Sequence, residues 1–373
     1  MKLSRHWGEA LWRRAKLIPA GASIPATPDV AIIGGGATGL SAAYHLARRG
    51  LRAVVFEADR VGSGASGRTG GIVLEGTATG PRPGARDCVP QLERLVTDLG
   101  IECDLRLPGC WEIVHQARGG GRRLPWFDDG AAISVARTVA GGSIEPGAMV
   151  AGLAEAAIAA GAIVFEHRRV AALKLSAAPA LEVEGEEIHP GYVIVALNAW
   201  TATLIPRMPA LRSALTYACL TAPLDDATLT SLGLDERMPF YTADTPYLWG
   251  RVCDGSIVFG AGLSFSEPDE LERLEISGSD SVAILEWLEG RVRALNPALA
   301  RVPIVARWAG PIAFREGLIP LLMRHPKAER VLIAGAYAGH GVAFSVHAGA
   351  LMAAAIVDGA PLPSWGISDI KSA

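Results

Sequence analysis

The sequence predicts an α/β protein with two domains, one built on a parallel sheet and the other on an antiparallel sheet. Residues 29–40 read as a buried strand, a glycine turn and a helix start, and residues 54–57 read as a second strand that ends in an acid. The apolar runs at 192–196 and 331–335 are short and continuous, as parallel strands covered on both faces are. A length of 373 residues is enough for a second domain.

The first glycine turn has the spacing G-x-G-x-x-G. Gly34 allows a tight turn, Gly36 lets the backbone approach a pyrophosphate, and Gly39 lets the helix pack on the strand. The helix start would offer free N–H groups to the phosphates. Glu57 stands about 20 residues on, where an acceptor for a ribose hydroxyl is expected. The unit therefore predicts a Rossmann-like dinucleotide-binding domain; the alternative is an ordinary βαβ turn that needed glycine.

A second glycine-rich loop, residues 62–71, follows almost at once. A nicotinamide dehydrogenase needs no such loop, whereas a flavoprotein can pass a pyrophosphate and an isoalloxazine ring over bare backbone. At this point the chain resembles the D-amino-acid oxidase-like family of FAD-dependent oxidoreductases, which includes the glycine oxidase, sarcosine oxidase and gamma-glutamylputrescine oxidase groups. The segment 64–71 and the tryptophan-bearing segment 6–12 most resemble the last group.

The resemblance implies an FAD site and assigns residues to it. Some members of the family that the chain resembles bind the flavin covalently through Cys or His. Residues 57–71 contain neither, and no Cys follows Cys253, so we expect FAD to be bound non-covalently, with His340 the one loose candidate for a covalent bond. The residues expected to contact FAD come from the glycine loops, the strand ends and the turn at 197–200: Gly34, Gly36, Ala37, Thr38, Gly39, Glu57, Ala65, Ser66, Arg68, Thr69, Gly70, Gly71, Val170, Asn198, Trp200, Gly339, His340, Gly341 and Val342.

The remaining elements follow in chain order. We expect a helix over 146–160, a strand over 162–165 and a long helix from Val342. Residues 247–252 and 256–260 read as a hairpin over a turn that contains Asp-Gly, which indicates an antiparallel sheet.

We expect the FAD-binding domain to be discontinuous in sequence. It would take residues 1–85, 141–205 and 310–373. Residues 86–140 and 206–309 would form the α+β substrate domain, built on the antiparallel sheet.

A third glycine loop, residues 335–341, leads from a strand into a helix. A helix start is electropositive. In the family that the chain resembles, the matching helix points at the pyrimidine edge of the flavin, where reduced flavin is negative. His340 would then donate to that edge, or it is a loop histidine with no role.

The resemblance also implies the chemistry: hydride removal from a carbon next to nitrogen, which leaves an imine. A substrate carboxylate would be bound by a fork-shaped arginine. Arg251 and Arg315 are the candidates, and a structural ion pair is the alternative for each. Tyr247, with Tyr241 and Trp249, would form an aromatic wall around the substrate, or these residues simply fill a core.

Two departures from the family pattern keep other functions open. An Asp that many relatives carry is missing around Arg315-Glu316-Gly317, and no lysine lies between Lys174 and Lys327 to promote reaction with oxygen. The electron acceptor is therefore oxygen or another molecule. The alternatives are a flavin-binding protein without turnover and a nicotinamide-dependent reductase.

Composition excludes several further classes. A net charge of −3 argues against a nucleic-acid surface. The five cysteines are odd in number and form no C-x-x-C pair, so we expect reduced thiols and a cytoplasmic location. No Cys or His spacing indicates a metal site. Asp128-Asp129 and Asp225-Asp226 are interpreted as solvated loop acids.

Membrane contact is not expected. The segment before Asp29 lacks the apolar stretch of a signal peptide. The run 331–357 lacks acids, lysine and arginine, but glycines and two histidines interrupt it, so we predict a strand, a loop and a helix. The expected partner is a small-molecule amine or amino acid, and a homo-oligomer is left open.

Overall fold

The computed structural model describes residues 6–12, 23–115, 121–205, 211–243 and 247–366. The strands in these residues are β1 (Val30–Ile33), β2 (Ala53–Phe56), β3 (Ile72–Leu74), β4 (Cys110–His115), β5 (Arg123–Asp128), β6 (Ala131–Val139), β7 (Gly141–Ser143), β8 (Ile163–Phe165), β9 (Val170–Lys174), β10 (Ala180–Val183), β11 (Glu186–Ile188), β12 (Tyr192–Val195), β13 (Arg212–Thr221), β14 (Phe240–Thr242), β15 (Trp249–Cys253), β16 (Ser256–Ser266), β17 (Ile304–Phe314), β18 (Leu321–His325) and β19 (Ala328–Gly335). The α-helices are α1 (Ala37–Ala47), α2 (Cys88–Asp98), α3 (Pro146–Ala159), α4 (Thr201–Leu204), α5 (Asp226–Ser231), α6 (Ser279–Leu295) and α7 (Val342–Val357).

A six-stranded sheet in the order β18-β19-β12-β1-β2-β8 forms the first domain. Its strands are parallel except for β18, which pairs antiparallel with β19 at one edge. All four side chains of β1 are buried, because helices cover one face of the sheet and a second apolar cluster covers the other. The helix α1 packs against α3 and α7. The expected α/β fold with a Rossmann-like sheet is confirmed.

The second large sheet has eight strands in the order β17-β13-β16-β15-β14-β4-β6-β5. Neighbours are antiparallel except for β14 and β4, which run parallel. A parallel pair needs a long connection, and these two segments are far apart in the chain. The helix α6 packs on this sheet over an apolar cluster that includes Trp126, Phe240 and Phe259. Strand β17 continues through the boundary expected between residues 309 and 310, so one strand serves both expected domains. The domain boundaries stay a prediction.

The long apolar run at 331–357 forms β19, a loop and α7. Within the described ranges no helix combines the length and the hydropathy needed to span a membrane. Cysteines 88, 103, 110, 219 and 253 are all free thiols. The cytoplasmic location and the oligomeric state stay predictions.

Candidate active site

A cavity of about 500 Å³ runs from the carboxyl ends of the parallel strands to the antiparallel sheet. Ile33 and Phe56 line it at the ends of β1 and β2, and Tyr241 and Trp249 line it on β14 and β15. A crevice at the carboxyl edge of a parallel sheet is the usual place for a ligand in such folds. The cavity therefore joins a polar end at the parallel sheet to an aromatic end at the antiparallel sheet.

The start of α1 lies on the cavity wall, and the residue before it has no side chain to cap the helix. Gly36 is the residue before the helix, and the first turn contains no acid. The Ala37 N–H donates to the hydroxyl of Ser66 at 3.0 Å, which brings the second glycine loop against the first. Thr38 shares a hydrogen bond of 2.8 Å with the hydroxyl of Tyr337. This helix start presents N–H groups and the positive end of a dipole to the cavity.

Glu57 marks the polar end of the cavity. Its two carboxylate oxygens accept backbone N–H groups of Gly35 at 2.8 Å and Asp59 at 2.9 Å. Burial raises the pKa of the Glu57 carboxyl, although these two N–H groups act in the opposite direction. Arg168, Arg169, Val170 and Glu272 line the same end.

The guanidinium of Arg68 binds the main chain. Its nitrogens donate to the carbonyls of Ala309 at 2.8 Å, Gly8 at 2.9 Å and Ser63 at 3.2 Å. Arg68 therefore ties the second glycine loop to β17 and to the N-terminal segment. This geometry favours a role in holding the loop.

The N-terminal segment 6–12 lies against that loop, a role that sequence reasoning did not assign. Trp7 is fully buried and stacks on Trp200 with ring centroids 5.9 Å apart. The indole N–H of Trp12 donates to the carbonyl of Thr69 at 2.8 Å. The only signal in the sequence is the pair of tryptophans, which offers no spacing rule for a contact so far along the chain.

Two further loops close the cavity from the side of β12 and β19. Asn198, which has a φ of +47°, accepts the N–H of Ala336 through its side-chain oxygen at 2.9 Å. The helix α7 begins after Gly341 with no side-chain cap and no acid in its first turn. The start of α7 is thus a second electropositive point on the wall.

His340 lies beside the aromatic end. Its ring meets the ring of Tyr241 edge to face at 6.1 Å. Its Nδ1 lies 3.4 Å from the carbonyl of Ala338, and burial lowers the pKa of the imidazole. The ring is therefore neutral near pH 7.

Hydrogen bonds fix the aromatic side chains at this end. The hydroxyl of Tyr241 donates to Glu112 at 2.9 Å. The hydroxyl of Tyr247 donates to the carbonyl of Gly262 at 2.9 Å and accepts from Thr216 at 2.8 Å, and burial raises its pKa to about 12.

The indole of Trp249 lies against two glycines, Gly70 and Gly260. A β-carbon placed on Gly70 or on Gly260 would come within 2.0 Å or 1.9 Å of the Trp249 indole. Neither glycine can therefore gain a side chain unless the ring moves.

A buried ion-pair cluster contacts the aromatic end of the cavity through Tyr247. One member of this cluster, Asp128, corrects an expectation from the sequence. Asp128 is not a solvated loop acid: its side chain is 1% exposed and lies between Arg291 and His115. Arg291 also donates to the carbonyl of Tyr247 at 2.7 Å. Burial by itself raises the pKa of Asp128, but the hydrogen bonds from Arg291 and His115 hold it below its usual value.

The structure brings most of the expected site residues together. Apart from Gly39 and Gly71, which lie just behind the wall, every residue expected to contact FAD lines the cavity, as do Tyr247 and His340. Arg251 and Arg315 are buried and are not among the described lining residues. The Nε of Arg251 instead donates to the carbonyl of Gly70 at 2.5 Å, on the far side of the loop.

Comparison with known proteins agrees with this geometry. The family described as DAO, FAD dependent oxidoreductase, matches residues 29–355. The chain is 27% identical to the gamma-glutamylputrescine oxidoreductase of Escherichia coli K12, over 88% of this chain and 83% of that protein. It is 25% identical to the glycine oxidase of Geobacillus kaustophilus, over 87% of this chain and 92% of that protein.

Solved structures show the same fold. The L-proline dehydrogenase of P. horikoshii matches with a TM-score of 0.72 at 18% identity, over 90% of this chain and 95% of that one. The glycine oxidase of Geobacillus kaustophilus matches with a TM-score of 0.69 at 20% identity, over 89% of this chain and 95% of that one. The family match confirms the expected flavoprotein and rules out the nicotinamide-dependent alternative. The chain belongs to the DAO family of FAD-dependent oxidoreductases.

Proposed function

We propose that this oxidoreductase oxidises the C–N bond of a small amine to an imine, with FAD bound non-covalently along the cavity. The observation that carries the proposal is the single cavity that leads from Glu57 and the start of α1 to the aromatic wall. When bound, FAD supplies the hydride acceptor.

The residues at the polar end fit such a cofactor. The uncapped start of α1 and the Ser66 hydroxyl are donors for a pyrophosphate. The Glu57 carboxylate is an acceptor for ribose hydroxyls. Thr69 and Gly70 line the cavity, where a flat ring system can lie against the second glycine loop. His340 is the sole histidine among the described lining residues, and no cysteine is among them, which supports non-covalent binding.

The aromatic end favours an amine over a free amino acid. The charged side chains among the described lining residues are Glu57, Arg68, Arg168, Arg169 and Glu272. Arg68 is bound to main-chain carbonyls, and the other four lie at the polar end. Aromatic faces attract a protonated amine through their quadrupoles, and the neutral His340 can take the N–H proton that must leave before hydride transfer. The relative named gamma-glutamylputrescine oxidoreductase, by its name, acts on an amine derivative.

Three groups at this end orient the substrate. With its Nδ1–H directed at the Ala338 carbonyl, neutral His340 offers Nε2 as an acceptor for the N–H of the amine. Tyr247 stays protonated, because its pKa is raised, and its hydroxyl is fixed by two partners. The indole of Trp249 excludes water from the space beside Gly70.

The test is an absorbance spectrum of the purified protein, followed by acid precipitation and by anaerobic titration. We expect flavin bands, release of the flavin into the acid supernatant, and bleaching by alkyl or aralkyl amines but not by D- or L-amino acids. Bleaching only by amino acids would contradict the substrate class. Absence of flavin after incubation with FAD would overturn the whole proposal.

His340→Asn should lower kcat/KM for the amine by about tenfold, because the variant loses one hydrogen bond to the substrate. Because burial lowers the pKa of His340, protonation of the ring should reduce kcat/KM of the parent protein on the acid side of the usual histidine range. The variant should lack this acid limb. Anaerobic flavin reduction between about pH 5 and 9 measures it.

The neighbouring titratable group, Tyr241, does not ionise in this range, because burial and the Glu112 carboxylate raise its pKa. His189→Asn is the control, since His189 is 60% exposed and is not among the cavity-lining residues. An acid limb that survives in His340→Asn would rule out this role.

A further inference from the structure

Three consecutive carbonyl groups of the second glycine loop accept hydrogen bonds from side-chain N–H groups far away in the sequence. The pairs are Trp308 Nε1 with the Arg68 carbonyl at 2.8 Å, Trp12 Nε1 with the Thr69 carbonyl at 2.8 Å, and Arg251 Nε with the Gly70 carbonyl at 2.5 Å. All three donors are buried, so water does not easily replace a lost donor.

Trp12 and Arg251 act as one unit on the far side of the loop. The guanidinium of Arg251 lies 5.0 Å from the ring centre of Trp12, a cation–π contact. Neither side chain is among the cavity-lining residues, whereas Thr69 and Gly70 are. The loop backbone therefore separates these two donors from the cavity.

The geometry of the peptide bond decides which way the N–H groups of this loop point. In a trans peptide the carbonyl and the N–H point in opposite directions. Because Trp12 draws the carbonyl of Thr69 away from the cavity, the N–H of Gly70 is directed to the cavity side, whereas the N–H of Gly71 meets the hydroxyl of Thr69 at 3.5 Å. An N–H group that is directed at the cavity favours negative charge on a ligand there.

We propose that Trp12 and Arg251 are positioning residues that hold the backbone at 69–71 so that the N–H of Gly70 is directed toward FAD, and that they thereby raise both the affinity for FAD and the reduction potential of the bound flavin. The inference rests on the proposed function for the presence of FAD. It gives the N-terminal segment a role in the cofactor site and gives Arg251 a role other than carboxylate binding.

Trp12→Phe tests the proposal, because it keeps an aromatic ring and removes only the donor. We expect the Kd for FAD, measured by titration of the apoprotein, to rise about five- to tenfold for the loss of one hydrogen bond. The midpoint potential of the bound flavin, measured by dye equilibration, should become more negative. Arg251→Met keeps the side-chain stem and should change both quantities in the same direction.

Trp365→Phe is the matched control. Its indole N–H also donates to a carbonyl, that of Pro83 at 2.7 Å, but at an exposed site outside the cavity lining. Thermal unfolding of the apoproteins checks that the variants fold. An unchanged Kd for FAD and an unchanged midpoint potential in Trp12→Phe would overturn this inference but not the proposed function. Equal changes of both quantities in Trp365→Phe would do the same. A parent protein that takes up no FAD would overturn the proposed function and this inference with it.

Discussion

Gly39→Ala should destabilise the protein by about 3 kcal/mol and abolish FAD binding. A β-carbon on Gly39 would lie 2.0 Å from the carbonyl oxygen of Gly34 and 3.1 Å from the side chain of Ile32. The first contact is with backbone in the turn between β1 and α1, so no side-chain rotation relieves it. The helix must move away from the sheet, and its N-terminal N–H groups move with it.

The measurement is urea unfolding of the apoprotein together with FAD titration. Gly290→Ala is the matched control, because Gly290 is also helical and a β-carbon there meets nothing within 4 Å. That control should be stabilised by up to about 1 kcal/mol from helix propensity. Parent-like FAD affinity in Gly39→Ala would show that the helix start does not bind the cofactor.

Asp128→Asn should cost about 3 to 5 kcal/mol in the free energy of unfolding, because it leaves the charge of Arg291 buried without its carboxylate. The Arg291 side chain is 7% exposed, and its Nε lies 2.7 Å from Asp128. Since Arg291 also holds the carbonyl of Tyr247, we expect a raised KM for the amine at a temperature where the variant is folded.

Asp226→Asn is the control for that change. Asp226 is 89% exposed and pairs with Arg237 at 3.3 Å, so its loss should leave the unfolding curve unchanged within error. Chemical denaturation and steady-state kinetics on both variants make the comparison. Equal stability of the two variants would show that the buried cluster does not support the aromatic wall.

The sequence predicted the parallel sheet and the cofactor end because their signals are local. The glycine spacing at 34–39 and the continuous apolar runs at 192–196 and 331–335 lie within single elements. The structure places them as β1, α1, β12 and β19, with the turn glycines on or just behind the cavity wall.

The substrate end could not be predicted in the same way, because its residues depend on partners far along the chain. Asp128 looked like a loop acid, yet its partner Arg291 is 163 residues away. Arg251 is a candidate carboxylate ligand by its place in the sequence, and its Nε meets a carbonyl 181 residues earlier. Neither contact leaves a periodic pattern in the sequence.

The same separations in sequence bear on the order in which parts of the protein fold. The loop at 62–71 is fastened by contacts that span 57, 181, 240 and 241 residues of chain. Contacts between remote segments form slowly, because the intervening chain must first lose its entropy. The flavin pocket is therefore among the last parts of the molecule to become ordered, and flavin uptake reports that folding of the whole chain is complete.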